Sequence, residues 1–181
     1  MPEKRRIFVG ITASERIQDL AGDFALRYDR LPVRWLSGSD LHYTLVPPWE
    51  DDYMGIGYVG AKLQALAEKF HPITAELNEL GFGPQGEPPR LISVAGQPNQ
   101  ELLDIFTAVN GALPAGTGRQ FWLHLTLARF SPNSFGSFPQ KKFNEKISWP
   151  ETFDNLTLYE SILTNEGSEY NIIKSYKFLA Q

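Results

Sequence analysis

A chain of 181 residues, 42% hydrophobic and 21% charged, carries enough apolar surface for one globular domain or two small lobes on a shared core. The absence of cysteine excludes disulfides, thiolate zinc sites and a cysteine nucleophile, and a formal net charge of -4 excludes a surface that grips long nucleic acid by neutralising many phosphates. No stretch approaches the ~20 apolar residues of a membrane span, and the hydrophobic run after "MPEKRR" falls far short of a signal sequence, so a cytoplasmic protein with no membrane partner is expected.

In chain order, "RIFVGI" (6–11) predicts a strand, and Ile17, Leu20, Phe24 and Tyr28 keep helical spacing behind Ser14 as N-cap. Gly38, Ser39 and Asp40 predict a turn, and Leu41 to Val46 a strand that Pro47 and Pro48 stop. Ile56, Val59, Leu63, Leu66 and Phe70 step by three and four, which predicts a second amphipathic helix, and "PITAELNELGFG" reads as one strand ended by glycines. "PPRLISVAG" (88–96) is the next strand, followed by a helix capped by Asn99, with Leu102, Leu103, Phe106 and Val109 on one face and Gly111 at its end. "QFWLHLTLARF" is a further strand, "SPNSFGSFPQKKFNEK" a surface loop with a basic end, and "NLTLYESIL" and "EYNIIKSYKFLA" are strands around a "NEGSE" turn.

The order strand, helix, strand thus occurs twice, and each time the second strand holds a histidine: "LHYTL" (41–45) and "LHLTL" (123–127). By composition, a histidine is followed by x-T-L at random only about once in 170 cases. The separations His42 to His124 and Ile7 to Ile92 are nearly equal, so an internal duplication with a pseudo-twofold axis between the two histidine strands is inferred. No linker divides the chain, which is read as a single two-lobed domain, 1–181.

Side chains alternate along a strand, so His42 shares a face with Thr44, and His124 with Thr126. If both strands line one cleft, two imidazoles that titrate near neutral pH stand beside two hydroxyl donors. Displacement at phosphorus needs a base for the attacking oxygen, an acid for the leaving oxygen and donors for the non-bridging oxygens, so this inventory fits a phosphodiester. His71, between Phe70 and Pro72, is read as a helix-end residue without a role. No nucleophile elbow, phosphate-binding glycine loop or H-E-x-x-H helix is present. "EDD" (50–52), "KRR" (4–6) and "KK" (141–142) read as solvated charge runs, and neither metal nor cofactor is expected.

These residues resemble the two-histidine phosphoesterases, and within them the RNA 2',3'-cyclic phosphodiesterases, also called 2'-5' RNA ligases. "RRIFVGI" is similar to the opening strand of that family, "LHYTL" and "LHLTLARF" to its paired motifs, "PPRLISVAG" to the strand opening its second lobe, and "LYESILTNEGSEYNIIKSYKF" to its closing hairpin. The resemblance implies an α+β bilobal fold with antiparallel sheets lining a central cleft and helices outside. It also implies metal-independent opening of a cyclic phosphate to a 2'-phosphomonoester, with His42 as general acid and His124 as base. Arg129 lies where the resembling enzymes often carry a phosphate-binding arginine and is taken as a substrate-binding candidate; five residues after His124 a regular strand turns it to the other face unless the strand bends, and the alternative is a solvated strand end. The first motif departs from the family by running into "VPPWEDD", where Trp49 either stacks on an unpaired nucleobase or anchors packing. Phe8 reads as core and Tyr170 as a further candidate. Expected partners are RNA termini or small cyclic nucleotides, met by a monomer; the alternatives are another cyclic phosphate or a 2'-5' linkage, or a module that binds an RNA end without turnover.

Overall fold

A computed structural model of the chain describes residues 3–180. β1 (Arg5–Thr12) leads into α1 (Glu15–Arg27), whose first turn is closed by Ser14, its hydroxyl accepting from Ile17 N at 3.3 Å. Glu15 in the first turn and Arg27 in the last complement the helix dipole. After β2 (Arg34–Trp35) and a 3-10 turn at Gly38–Asp40 come β3 (His42–Asp51), α2 (Tyr53–Ala67), β4 (Ile73–Leu77) and β5 (Glu79–Gly83). β6 (Leu91–Ala95), α3 (Gln100–Ala112), β7 (His124–Arg129), β8 (Trp149–Phe153), β9 (Asn155–Thr164) and β10 (Gly167–Lys177) complete the order. Asn99 caps α3 by accepting from Leu102 N at 3.0 Å, and the helix runs one residue past Gly111.

Two four-stranded sheets, ordered β10-β9-β1-β3 and β2-β7-β6-β5, are antiparallel throughout, and β4 and β8 form a separate two-stranded ladder. The triplets β9-β1-β3 and β5-β6-β7 repeat one arrangement, as a duplicated unit requires. Register gives the correspondence: Thr12 pairs with His42 and Gly10 with Thr44, as Ala95 pairs with His124 and Ser93 with Thr126. Val9, rather than Ile7, is therefore the counterpart of Ile92. One cluster of buried side chains spans both halves, from Ile7, Val9 and Ile11 of β1 to Ile92 and Val94 of β6. The helices cross between the halves: Phe24 of α1 meets Trp35 and Trp149 edge-on, while α2 and α3 pack on one another and on β3.

Two expectations are corrected. β3 does not stop at Pro47 but runs through both prolines, because it is an edge strand bonded to β1 alone, and the register slips between the Ile7–Trp49 and Val9–Val46 pairs. The prolines occupy that irregularity, where no ladder N–H is required of them. "PITAELNELGFG" is two strands in two different sheets, divided at Asn78, whose N–H turns to Ala95 O at 2.9 Å. The segment 131–146 is the expected surface loop with one 3-10 turn, anchored by Phe135, Phe138 and Phe143, which pack with Phe82, and by Phe143, which also meets Phe24.

Candidate active site

β3 and β7 come together where the two sheets meet, and each contributes its histidine and threonine from the same face. Both imidazoles are half-buried and are held by the same device: His42 Nδ1 lies 2.8 Å from Asp40 O, and His124 Nδ1 lies 3.0 Å from Trp122 O. A carbonyl oxygen only accepts, so in each ring Nδ1 carries the hydrogen and Nε2 keeps its lone pair when the ring is neutral. Two backbone carbonyls, each two residues before its histidine, thus orient both rings and select one tautomer.

The two rings have different neighbours. His42 packs against Phe8 (4.8 Å between centroids), Tyr170 (4.9 Å, edge-on) and Tyr159 (5.2 Å). Tyr159 is fixed in turn by a 2.7 Å hydrogen bond with the Thr12 hydroxyl, which also donates to Thr157 Oγ1 at 3.1 Å. Gly10 makes this packing feasible: a Cβ there would stand 2.7 Å from the backbone oxygen of Tyr43 and 3.5 Å from the His42 ring. His124 instead lies parallel to the indole of Trp122, with centroids 3.7 Å apart at 12°, and that indole is 45% exposed. Trp122 also lines a pocket of about 410 Å³ that spreads over β5 and β6.

Arg129 returns to the histidine face because β7 carries one extra residue. Thr126 pairs with Ser93, yet Ala128 pairs with Ile92 and Arg129 with Leu91, so Leu127 is bulged and the alternation shifts by one. Its Nε is buried and has no hydrogen-bond partner among the described residues, and its charge acts on both imidazoles. Arg34 stands directly opposite it on β2 and donates to Ser168 O at 3.2 Å. Burial holds the His42 imidazole down at about 4, against the pull of the Asp40 carbonyl and reinforced by the Arg129 and His124 charges. His124 is lowered in the same way, by burial first and then by Arg119 and Arg129. Burial pushes the Asp40 carboxyl up, opposed by a bond from the Tyr170 backbone and by the Arg34 charge.

Of the residues singled out in the sequence, His42, Thr44, His124, Thr126 and Arg129 share this region, and Thr126 is buried. Trp49 does not join them. It pairs with Ile7, whose side chain enters the core, so its indole lies on the opposite face of the sheet and donates to Asp51 Oδ2 at 3.1 Å. Asp51 and Asp52 are engaged locally, Asp52 capping α2 through Gly55 N at 3.0 Å. His71 is remote, its Nδ1 3.1 Å from Leu179 O. Phe8 is buried, as expected, but on the face of His42. Sequence reasoning passed over Trp122, Tyr159 and Arg34. Strand alternation from His124 would have found Trp122, two residues before it, whereas Tyr159 and Arg34 reach the region only through strand pairings that no local pattern encodes.

No protein-family model matches the chain, and comparison with curated proteins finds no match. Among solved structures, TT0787 of Thermus thermophilus superposes with a TM-score of 0.78 at 18% identity, covering 96% of this chain and 97% of that one. LigT of E. coli, in its apo form, gives a TM-score of 0.68 at 21% identity over 97% of this chain and 98% of its own. A protein described as a phosphoesterase gives 0.71 at 20% identity, over 97% of this chain and 99% of that one. LigT has also been solved in complex with NADP+, 3'-AMP and ATP. From the opening strand to the closing hairpin, the chain has the fold of TT0787 and LigT.

Proposed function

We propose that the protein is a metal-independent phosphodiesterase that opens 2',3'-cyclic phosphates of RNA ends or small nucleotides to 2'-phosphomonoesters. The observation that carries this reading is the matched pair of H-x-T-L strands, with both imidazoles held in the same tautomer by backbone carbonyls. In the reaction, His124 Nε2 takes a proton from water as the water oxygen bonds to phosphorus. The bond from phosphorus to the ribose 3' oxygen breaks, and protonated His42 supplies the proton that this oxygen needs. The products are a 2'-phosphate and a 3'-hydroxyl, and solvent exchange returns the two imidazoles to their starting protonation.

Thr44 and Thr126 donate to the non-bridging oxygens, and Arg129 balances their charge; its unpartnered buried Nε is a donor that a phosphate oxygen satisfies. The likeness to LigT, solved with nucleotides bound, supports a nucleotide-sized ligand. Both histidine strands come from one chain, so a monomer is sufficient. The test is hydrolysis of the four nucleoside 2',3'-cyclic monophosphates and of a short RNA ending in one, in EDTA, by wild type, His42→Ala and His124→Ala. Release of 2'-phosphate is expected from wild type, with a loss of roughly a hundredfold or more in each variant. Absence of turnover by wild type, turnover that EDTA abolishes, or turnover indifferent to both substitutions overturns the reading.

A further inference from the structure

We propose that the pocket beside His124 is a nucleobase subsite, with Trp122 as its stacking wall; the proposal rests on the reading above only in placing the phosphate between the two histidines. The register of the second sheet sets the floor. Two rows run across β5, β6 and β7, Glu79–Ala95–His124 and Gly81–Ser93–Thr126, so the surface next to the histidine and threonine is made of three of the smallest side chains in the protein. A Cβ added at Gly81 would meet no heavy atom within 4 Å, so the space above this floor is open, and it widens into the pocket of about 410 Å³.

Trp122 rises at the side of that floor. One face of its indole is stacked on the His124 ring, and the residue is 45% exposed and lines the pocket. A large aromatic held rigid by a stacked neighbour and presented beside a flat floor fits a planar ring, because base–aromatic stacking needs a π-face and little else. The charge of the pocket selects the same part of a nucleotide. Among its lining residues the one charged side chain is Glu79, which repels a further phosphate. Arg129 and Arg34 lie in the row of Leu91, two residues farther along β6 than the row of Ser93, and neither they nor Arg119, which acts on His124, line the pocket. Ser93, Gln85 and Glu79 supply a hydroxyl, an amide and a carboxylate to meet the N–H and carbonyl edges of a base. Trp49, the tryptophan whose sequence context pointed to stacking, faces away, and Trp122 holds the position that such a role needs.

The test compares nucleoside 2',3'-cyclic monophosphates with ribose 2',3'-cyclic phosphate, which keeps the reacting ring and lacks the base. Wild type is expected to favour the nucleosides in kcat/KM by roughly tenfold or more. Gly81→Leu, whose added Cβ meets no heavy atom within 4 Å and whose side chain extends into the pocket space, and Trp122→Ala are each expected to bring that ratio down about tenfold, while Trp122→Phe retains most of it. A general disturbance of the fold or of His124 lowers both substrates together and leaves the ratio in place. A wild-type ratio near one, or a ratio that survives both Gly81→Leu and Trp122→Ala, overturns the subsite. Should the cyclic phosphates not turn over at all, calorimetric titration with adenosine 2'-monophosphate and with ribose 2-phosphate decides the matter. Tighter binding of the nucleotide, weakened by Gly81→Leu, upholds the subsite even though the reaction has failed, and equal binding overturns it.

Discussion

His42 is enclosed by three aromatic rings and lies within the field of Arg129, and both effects disfavour its cationic form. The consequence for catalysis has a definite sign. The general acid must be protonated, and with the His42 imidazole lowered from 6.5 to about 4, its protonated fraction falls as pH rises through the neutral range. His124 is lowered too, so the base is already neutral there. kcat/KM, which reports the groups of free enzyme, is therefore expected to decline between about pH 5 and pH 8, with the kcat profile displaced to higher pH because a bound phosphate anion favours the imidazolium. A kcat/KM that rises from pH 5 to pH 7 would contradict this account. Stability depends on the same group. Its folded value lies below its unfolded one, so its contribution is complete above about 6.5 and is lost as pH falls toward about 4. His42→Gln removes that proton-linked loss, and the drop in Tm between pH 7.5 and pH 4.5 should be smaller in the variant than in wild type; equal drops would show that the burial of a neutral His42 has no part in acid sensitivity.

At the scale of elements, two departures from regular strand geometry shape the site. The bulge at Leu127 turns Arg129 onto the histidine face, and the irregularity at Pro47 and Pro48 lets β3 continue to Asp51 and on to the cap of α2. Behind the site, β8 is tied to the rest by Glu151, which is 1% exposed. One carboxylate oxygen accepts from the Tyr43 hydroxyl at 3.0 Å and from Ser14 N at 3.1 Å, and the other from Thr152 N at 2.8 Å. This single side chain joins β8 to the start of α1 and to β3 beside His42. Burial, and then the carboxylate itself, pushes the Tyr43 phenol well above its usual range, which keeps it a donor. Glu151→Leu leaves these donors buried without a partner and is expected to cost about 3 kcal/mol in urea unfolding, with Glu151→Gln costing less because its carbonyl still accepts. A loss below about 1 kcal/mol for Glu151→Leu would remove this tie from the account.

Over the whole molecule, the strand-helix-strand unit repeats in register and is unequal in content. Each half pairs a histidine strand with a central strand in the same register, yet one histidine is walled in by Phe8, Tyr159 and Tyr170 while the other stacks on a half-exposed indole. Net charge is -4, and the arginine charges that act on the histidines are Arg129, which reaches both, and Arg119, which reaches His124. Binding of a single-stranded RNA end should therefore involve one or two phosphates, giving a slope of log affinity against log salt of only about -1, since each neutralised phosphate contributes roughly -0.7. The slope should not steepen as the oligonucleotide lengthens from two to ten nucleotides. A slope that grows with length would reveal a longer basic track.

Local pattern by itself determined the strands around both histidines, the caps at Ser14 and Asn99, the repeated order of strand, helix and strand, and the pairing of each histidine with its threonine. These follow from side-chain alternation and helical periodicity, which act over a few residues. Tertiary structure alone decided the rest. Arg129 reaches the histidines through a bulge that exists because β6 and β7 pair with an extra residue, and Trp49 turns away because β3 pairs with β1 in a register set across the sheet. Tyr159, Tyr170 and Arg34 arrive from strands far along the chain, and the lowered imidazoles are a property of the enclosure those strands build. Alternation states which side chains share a face; which faces meet is settled only when distant strands choose their partners.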